Sequence, residues 1–267
     1  MIKVVNYNFE GMSKVFDPEK EREFLNDLVK DYTDTHPYSE IKKEIIVNMM
    51  LARMRSKDAT GLQLGCANGY ETELLASHLR ALQVVDGSSV FIERLKGQDH
   101  PSNITFQLAL FEDLDRANAG RTFDHVACNY VLEHVHDTVP VLKNIRSLMH
   151  EKSTLFITVP NSNALSRRLA LKMGLLNSLE GLTENDLRHG HRRTYTLASL
   201  VDEVTGAGFE VMERAGVIFK ILADFQLNRA LKDGFLTKEH ILGLQALALE
   251  PENISHCDSI FLVLRRK

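Results

Sequence analysis

Two histidine-rich stretches have the residue types needed to move protons. LEHVHD brings together Glu133, His134, His136 and Asp137, and RHGHRR sets His189 and His191 among Arg188, Arg192 and Arg193. Histidine changes charge near neutral pH, so either stretch offers a base for a reacting hydroxyl or amine. His134, His189 and His191 are the candidate catalytic residues. The bland alternatives are a histidine held by a backbone carbonyl at 134 and a solvated basic loop at 188–193. No metal is expected: His134 and His136, read on a helix, face different directions, and Cys66, Cys128 and Cys257 are far apart with no CxxC pair.

A third stretch, GLQLGCANGYETELLA (61–76), sets Gly65 and Gly69 four residues apart where an apolar run gives way to a helical pattern. Such a turn aims backbone N–H groups and a helix N-terminus at a ligand. A triphosphate loop needs G-x-x-x-x-G-K-[ST], and nothing of that kind follows Gly69. A dinucleotide turn needs G-x-G-x-x-G, but Ala67 and Thr72 hold the second and third glycine places and Glu71 would repel a pyrophosphate. S-adenosylmethionine has no phosphate. Its sulfonium, ammonium and carboxylate suit a turn of mixed polarity. Asp86 closes the next apolar run about twenty residues on, where a carboxylate can accept hydrogen bonds from both ribose hydroxyls.

These residues need a frame to hold them. Short apolar runs at 62–64, 82–86, 103–107, 123–128 and 154–159 read as strands. Helical patterns follow at 71–80, 88–96, near FEDLDRA, and at 140–150 with Thr138 as its cap. Strand and helix alternating in this way predict a parallel sheet covered on both faces. Ahead of it, PYSEIKKEIIVNMMLARM (37–54) reads as a helix capped by Ser39 behind Pro37. The segment 161–194 interrupts the alternation and is too long for a plain connection. Helix 196–208 and strand 209–216 restore it, and 217–250 is helical again. The chain ends in SIFLVLRR (259–266), a strand with no helix after it, expected antiparallel beside its predecessor.

With 267 residues, 44% hydrophobic, the chain suits one large α/β domain or a core with a smaller cap. Its formal net charge of −4 argues against long nucleic acid as a partner. No apolar run is long enough to cross a bilayer, and the N-terminus lacks the pattern of a signal peptide. A reducing cytoplasm is the expected setting.

The ordered set LQLGCANGYET, VVDGSS, FEDL, FDHVACNYVLEHV and TLFITVPN resembles the successive motifs of class I S-adenosylmethionine-dependent methyltransferases. The nearest likeness is to the ubiquinone-biosynthesis-type and surface-polysaccharide-cluster small-molecule O-methyltransferases. The resemblance covers roughly residues 58–216 and the last strand. It implies a Rossmann-like, seven-stranded, mostly parallel sheet with the last strand antiparallel. It also implies a helical cap at 1–57 and a core at 58–267 with cap insertions at about 161–194 and 217–250. By the same resemblance Gly65, Cys66, Ala67 and Gly69 lie against the methionyl part of the cofactor and Asp86 holds the ribose, flanked by Gly87 and Ser88. Leu110 and Phe111 would sandwich the adenine, and Asn129 and Tyr130 would border the transferable methyl. Two positions depart from the pattern. Ala67 stands where a glycine is usual, and Ala109 replaces a frequent adenine-reading Asp, leaving Glu112 or backbone groups to that task.

The function this implies is methyl transfer to a small metabolite, at a hydroxyl oxygen, by a monomer or homodimer. The basic loop would suit a phosphorylated or carboxylated acceptor. NYVL stands where enzymes that methylate nucleic-acid amines commonly carry N/D-P-P-Y, which argues against that class. Two rival readings are a cofactor-binding protein without transferase activity and a dinucleotide-dependent oxidoreductase.

Overall fold

The computed structural model describes residues 16–31, 36–54 and 57–267. Residues 1–15, 32–35 and 55–56 of the expected N-terminal cap lie outside the described residues. Two helices, α1 (Pro18–Asp31) and α2 (Pro37–Leu51), precede β1 (Thr60–Leu64), α3 (Tyr70–Ala76), β2 (Ala81–Asp86), α4 (Ser89–Lys96), β3 (Ile104–Leu108) and a short α5 (Leu114–Ala117). There follow β4 (Phe123–Asn129), α6 (Thr138–Ser147), β5 (Met149–Pro160), α7 (Leu165–Lys172), α8 (Glu184–Arg188), α9 (Leu197–Gly206), β6 (Phe209–Val217), α10 (Asp224–Lys232), α11 (Lys238–Ala248) and β7 (Ser259–Arg266).

The seven strands form one sheet in the order β3-β2-β1-β4-β5-β7-β6. β1 pairs in parallel with both β2 and β4, and β7 runs antiparallel between β5 and β6. The last strand is therefore antiparallel beside its predecessor, as expected, and beside β5 as well. Strand periodicity sends alternate side chains to opposite faces. Leu155 and Ile157 join α6 and α9 residues such as Leu142, Ile145 and Leu200 on one face. Phe156 joins Ile46, Met50, Leu75 and Ile92 on the other.

Several local readings shift. Pro37 is itself in the first turn of α2, with His36 at the cap position; its missing N–H and fixed φ make the first turn its natural place, so Ser39 lies inside the helix. α6 is capped by Asp137, whose carboxylate accepts the Val139 N–H at 2.9 Å, and Thr138 is its first residue. Met149 belongs to β5 because it pairs with Phe123 of β4, so α6 stops at Ser147. α3 ends at Ala76, and Arg80 bonds the Ala59 carbonyl instead of extending the helix. LEHVHD is a turn and not a helix, closed by the His134 N–H on the Val131 carbonyl at 2.9 Å.

The segment 161–194 carries α7 and α8, and 217–250 carries α10 and α11. α1 rests on α4, while α10 and α11 rest on α2. Among the described residues no helix is long and apolar enough to cross a membrane.

Candidate active site

The carboxyl ends of β1 and β2 meet at the glycine turn. Gly65 (φ 76°), Ala67 (φ 44°) and Gly69 (φ 84°) all adopt left-handed backbone. A side chain at Gly69 would also strike Leu95, whose Cδ2 lies 2.7 Å from where a Cβ would stand. Ala67 bears this conformation with a Cβ, at about 1–2 kcal/mol, so the turn keeps its shape without the usual glycine. From below, the buried Gln63 amide donates to the Gly65 carbonyl at 3.0 Å and its oxygen accepts from the Thr72 hydroxyl at 2.8 Å. Asp86 closes the turn from the side. One oxygen accepts the Cys66 N–H at 2.9 Å and the other the Ser88 N–H at 2.8 Å. The oxygen that takes the Cys66 N–H also accepts the weakly donating Cys66 thiol at 3.3 Å, and the oxygen on Ser88 keeps a further lone pair for a hydroxyl donor. Burial pushes the Asp86 carboxyl above its ordinary range, and these hydrogen bonds oppose the shift.

Beyond β2 and β3, Leu110 is buried beside Gly87, and Phe111 opens a short 3-10 turn. Gly87 is pressed between Leu110 and Leu25 of α1, which would lie 3.2 and 2.5 Å from an added Cβ. The Ser88 hydroxyl donates to Asn26 of the same helix at 2.8 Å. Glu112, one candidate to replace the missing adenine-reading Asp, accepts the His136 N–H at 3.2 Å. At the tip of β4, the Asn129 side chain accepts from Thr158 at 2.7 Å and donates to Glu71 at 3.3 Å. Tyr130 follows with φ 54°, a strained value for a bulky residue and typical of functional turns. Its hydroxyl shares a hydrogen bond with Ser259 at 2.9 Å, and Lys42 stands 5.3 Å from its ring centre.

Lys42 belongs to a buried charge cluster that sequence reasoning missed. Lys42 and Lys220 both reach Asp224 and Asp258, at 2.8–3.4 Å. Its members come from α2, from the β6–α10 connection, from the first residue of α10 and from the residue before β7, so no local pattern announces it.

The two histidine stretches, more than fifty residues apart in sequence, form one unit at the tips of β4 and β5. The Arg192 N–H donates to the Glu133 carbonyl at 2.8 Å. The Arg193 guanidinium donates to the carbonyls of Leu132, Val135 and His136 at 2.6–2.9 Å. His134 and His191 rings stand edge to face at 4.8 Å, and His191 Nδ1 lies 3.4 Å from Asp186. His189 sits further out, with its Nδ1 2.8 Å from the Asn185 carbonyl. His136 points elsewhere, against Phe16.

Desolvation, with His191 beside it, pushes the His134 imidazole down to about 3, so this ring is neutral at any physiological pH. Glu133 is 1% exposed, and among the described residues neither of its carboxylate oxygens has a hydrogen-bond partner. Burial pushes its carboxyl up to about 7 against the pull of His191. It borders a cavity of about 20 Å³ together with Asn161, Ser162, Asp186, His191 and Arg193, room for a single water. One donor atom each from Glu133, His134 and His191 lies within 4.8 Å of the others, a spacing too long for direct hydrogen bonds but one that would admit a cation. The expectation of no metal considered His134 with His136; the neighbour that matters is His191.

Comparison with known proteins agrees with this geometry. A methyltransferase domain model matches residues 38–214. The ubiquinone biosynthesis O-methyltransferase of Azorhizobium caulinodans is 28% identical over 189 residues, 67% of this chain and 73% of that protein. The protein of the same name from Coxiella burnetii is 28% identical over 146 residues, 52% of this chain and 61% of its own length. Two solved structures share the fold: the N-methyltransferase NodS of Bradyrhizobium japonicum in complex with S-adenosyl-L-homocysteine (TM-score 0.56, 14% identity, 92% of this chain and 98% of that one); and magnesium protoporphyrin IX methyltransferase of Synechocystis with the same product bound (TM-score 0.58, 14% identity, 94% and 100%). With the sheet order and the strand-tip turn already in place, a match running from α2 into β6 leaves one assignment: the chain belongs to the methyltransferase domain family and is a class I S-adenosylmethionine-dependent methyltransferase.

Proposed function

We propose that the protein transfers a methyl group to a hydroxyl oxygen of a small metabolite, and that His191 takes the hydroxyl proton. Bound S-adenosylmethionine supplies the methyl on a sulfonium leaving group. The turn 65–69 fits its amino-acid end: Gly65, Ala67 and Gly69 take left-handed backbone around Cys66 and shape the turn at the tip of β1. Asp86 would take one ribose hydroxyl on the oxygen bonded to Ser88 and the other in place of the weak Cys66 thiol donor, with Gly87 and Ser88 beside it. Leu110 and Phe111 form the apolar wall for adenine, and Asn129 and Tyr130 stand at the methyl end.

The observation that carries the acceptor side is the convergence of the two histidine stretches next to the Asn129–Tyr130 turn. Of the three candidate histidines, His134 is held neutral and a poor base, and His189 lies away from the cavity. His191 has Asp186 on its Nδ1, which orients the ring and leaves Nε2 to accept the acceptor's proton. The likeness to O-methyltransferases supports oxygen as the target. Most of the basic loop's charge is used internally: Arg188 pairs with Glu184, and Arg193 holds carbonyls. Arg192 pairs with Glu21, and among the described residues its buried Nε and Nη1 have no hydrogen-bond partner. An anionic group on the acceptor would meet Arg167 and Arg193, which border the cavity with His191.

The helices of 1–57, 161–194 and 217–250 are read as a cap that excludes water, and the three free thiols fit a cytoplasmic setting. The test is incubation with methyl-labelled S-adenosylmethionine and a fractionated metabolite extract. Label should enter small molecules as an oxygen-bound methyl and be lost with His191→Asn. Label on nitrogen, or none in any small-molecule fraction, would defeat the proposal.

A further inference from the structure

Among the described residues, three that are not glycine adopt left-handed backbone: Ala67, Tyr130 and Ile218. Ala67 shapes the cofactor turn. The other two flank the start of β7. The Ile218 carbonyl accepts the Asp258 N–H at 2.9 Å, and the Tyr130 hydroxyl shares its hydrogen bond with Ser259. Asp258 and Ser259 therefore tie the tip of β4 to the tip of β6. The buried charge cluster closes round the same tie. Lys42 stands 5.3 Å from the ring centres of both Tyr38 and Tyr130, and the Tyr38 hydroxyl donates to Asp258 at 3.5 Å. Lys220 holds Asp224 and Asp258 at 2.8 Å, and Lys42 reaches both at 3.4 Å. Lys42, Lys220 and Asp258 are largely out of water.

Taking such charges out of water gains little over an apolar filling of the same volume. Left-handed backbone at a bulky or β-branched residue is strained and persists only where the surroundings impose it. Neither is needed to fill a corner of the core, but together they fix one side chain. The Tyr130 hydroxyl is tied, its ring faces an ammonium, and its N–H is held by the Thr158 carbonyl at 2.8 Å. We propose that Lys42 is a positioning residue for methyl transfer. It holds the Tyr130 ring at the methyl end and, through Tyr130, sets the direction in which the chain enters the turn that carries Glu133 and His134. The inference rests on the reading that Asn129 and Tyr130 stand at the methyl end. Two lysines against two aspartates leave the cluster neutral, so it holds the ring without repelling the sulfonium. Lys42 acts through Tyr130 and not on the reacting atoms.

The test uses the full chain labelled with meta-fluorotyrosine, in which Tyr130→Phe identifies the fluorine resonance of Tyr130 among the six tyrosines. In the wild type this line should shift when S-adenosylmethionine binds. In Lys42→Met it should broaden or split, while the lines of Tyr70 and Tyr195 stay in place. With saturating S-adenosylmethionine, Lys42→Met should pass label to the acceptor fraction about 10- to 100-fold more slowly, the scale of a small misplacement at the reacting atoms. Its affinity for S-adenosylhomocysteine should stay within about threefold of wild type. Adding Asp224→Asn restores the balance of charge and should leave transfer slow. If Lys42→Met does not fold, Ser259→Ala frees the Tyr130 hydroxyl with the charges in place and should slow transfer at unchanged product affinity. An unaltered Tyr130 line, an unaltered rate, a loss of product affinity as large as the loss of rate, or recovery of the rate on adding Asp224→Asn would overturn the proposal. A wild-type Tyr130 line that ignores bound S-adenosylmethionine would bring down the methyl-end reading as well, which separates the two failures.

Discussion

Asp86→Asn separates two tasks that the carboxylate performs together. In the wild type each oxygen takes one backbone N–H, from Cys66 and from Ser88. Asparagine keeps one of these acceptors and turns an amide NH₂ toward the other donor. Leaving a buried backbone donor unpaired costs about 1–3 kcal/mol. At roughly 2–4 °C per kcal/mol for a chain of this size, the melting temperature should fall by about 2–12 °C. The ribose hydroxyls lose a charged acceptor at the same time, worth about 1.5–3 kcal/mol, or roughly 10- to 150-fold in dissociation constant. Alanine would orphan both donors and confuse the two effects. Calorimetric titration with S-adenosylhomocysteine, well below the melting temperature of the variant, reads the second effect alone. Because burial raises the Asp86 carboxyl, acidification should weaken product binding in the wild type and not in the variant. A folded Asn variant whose affinity stays within about twofold of wild type would refute the ribose role and leave Asp86 a mere staple of the turn.

Glu133→Gln should flatten the pH dependence of stability. The native Glu133 carboxyl sits at about 7 against an ordinary 4.5, so its stabilising protonation is complete below 4.5 and is lost as pH rises through 7. That amounts to on the order of 3 kcal/mol at most, and melting curves from pH 5 to 8 should show the Gln variant gaining on the wild type toward alkaline pH. His191→Asn should lower kcat by about 10²–10⁴. His189→Asn should change kcat less than about threefold, within the usual range for a surface substitution; equal losses in the two would refute the choice of base. Ala67→Gly removes left-handed strain of about 1–2 kcal/mol and adds unfolded-chain entropy of about 0.4–1 kcal/mol. A small net rise in melting temperature is expected, and a fall would show that the Ala67 methyl packs usefully.

The sheet was legible in the sequence because each strand announces itself locally, by an apolar run and a turn. The seventh strand was legible as the apolar, β-prone run 259–266. Gly65, Gly69 and Asp86 were legible for the same reason: each sits at the end of a strand that the pattern fixes. Helix starts were less so. Pro37 and Asp137 compete with Ser39 and Thr138 for neighbouring positions, and only backbone geometry decides among them. LEHVHD looked helical from composition alone, but the Arg193 guanidinium draws its carbonyls into a turn, and that partner lies far along the chain. The union of His134 with His191, the Lys42–Asp258 cluster and the seating of Leu25 on Gly87 are likewise long-range contacts without a local signature. Residues 188–193 read as a basic loop facing a ligand; in the fold most of their charges face other parts of the protein.

A crystal structure of the full chain with S-adenosylhomocysteine tests the central claim most directly. The ribose hydroxyls should sit on Asp86 and the amino-acid end on the turn 65–69, with the sulfur facing Tyr130 and the His191 side of the site. A product bound with its ribose remote from Asp86, or with its sulfur turned away from Tyr130 and His191, would contradict the account.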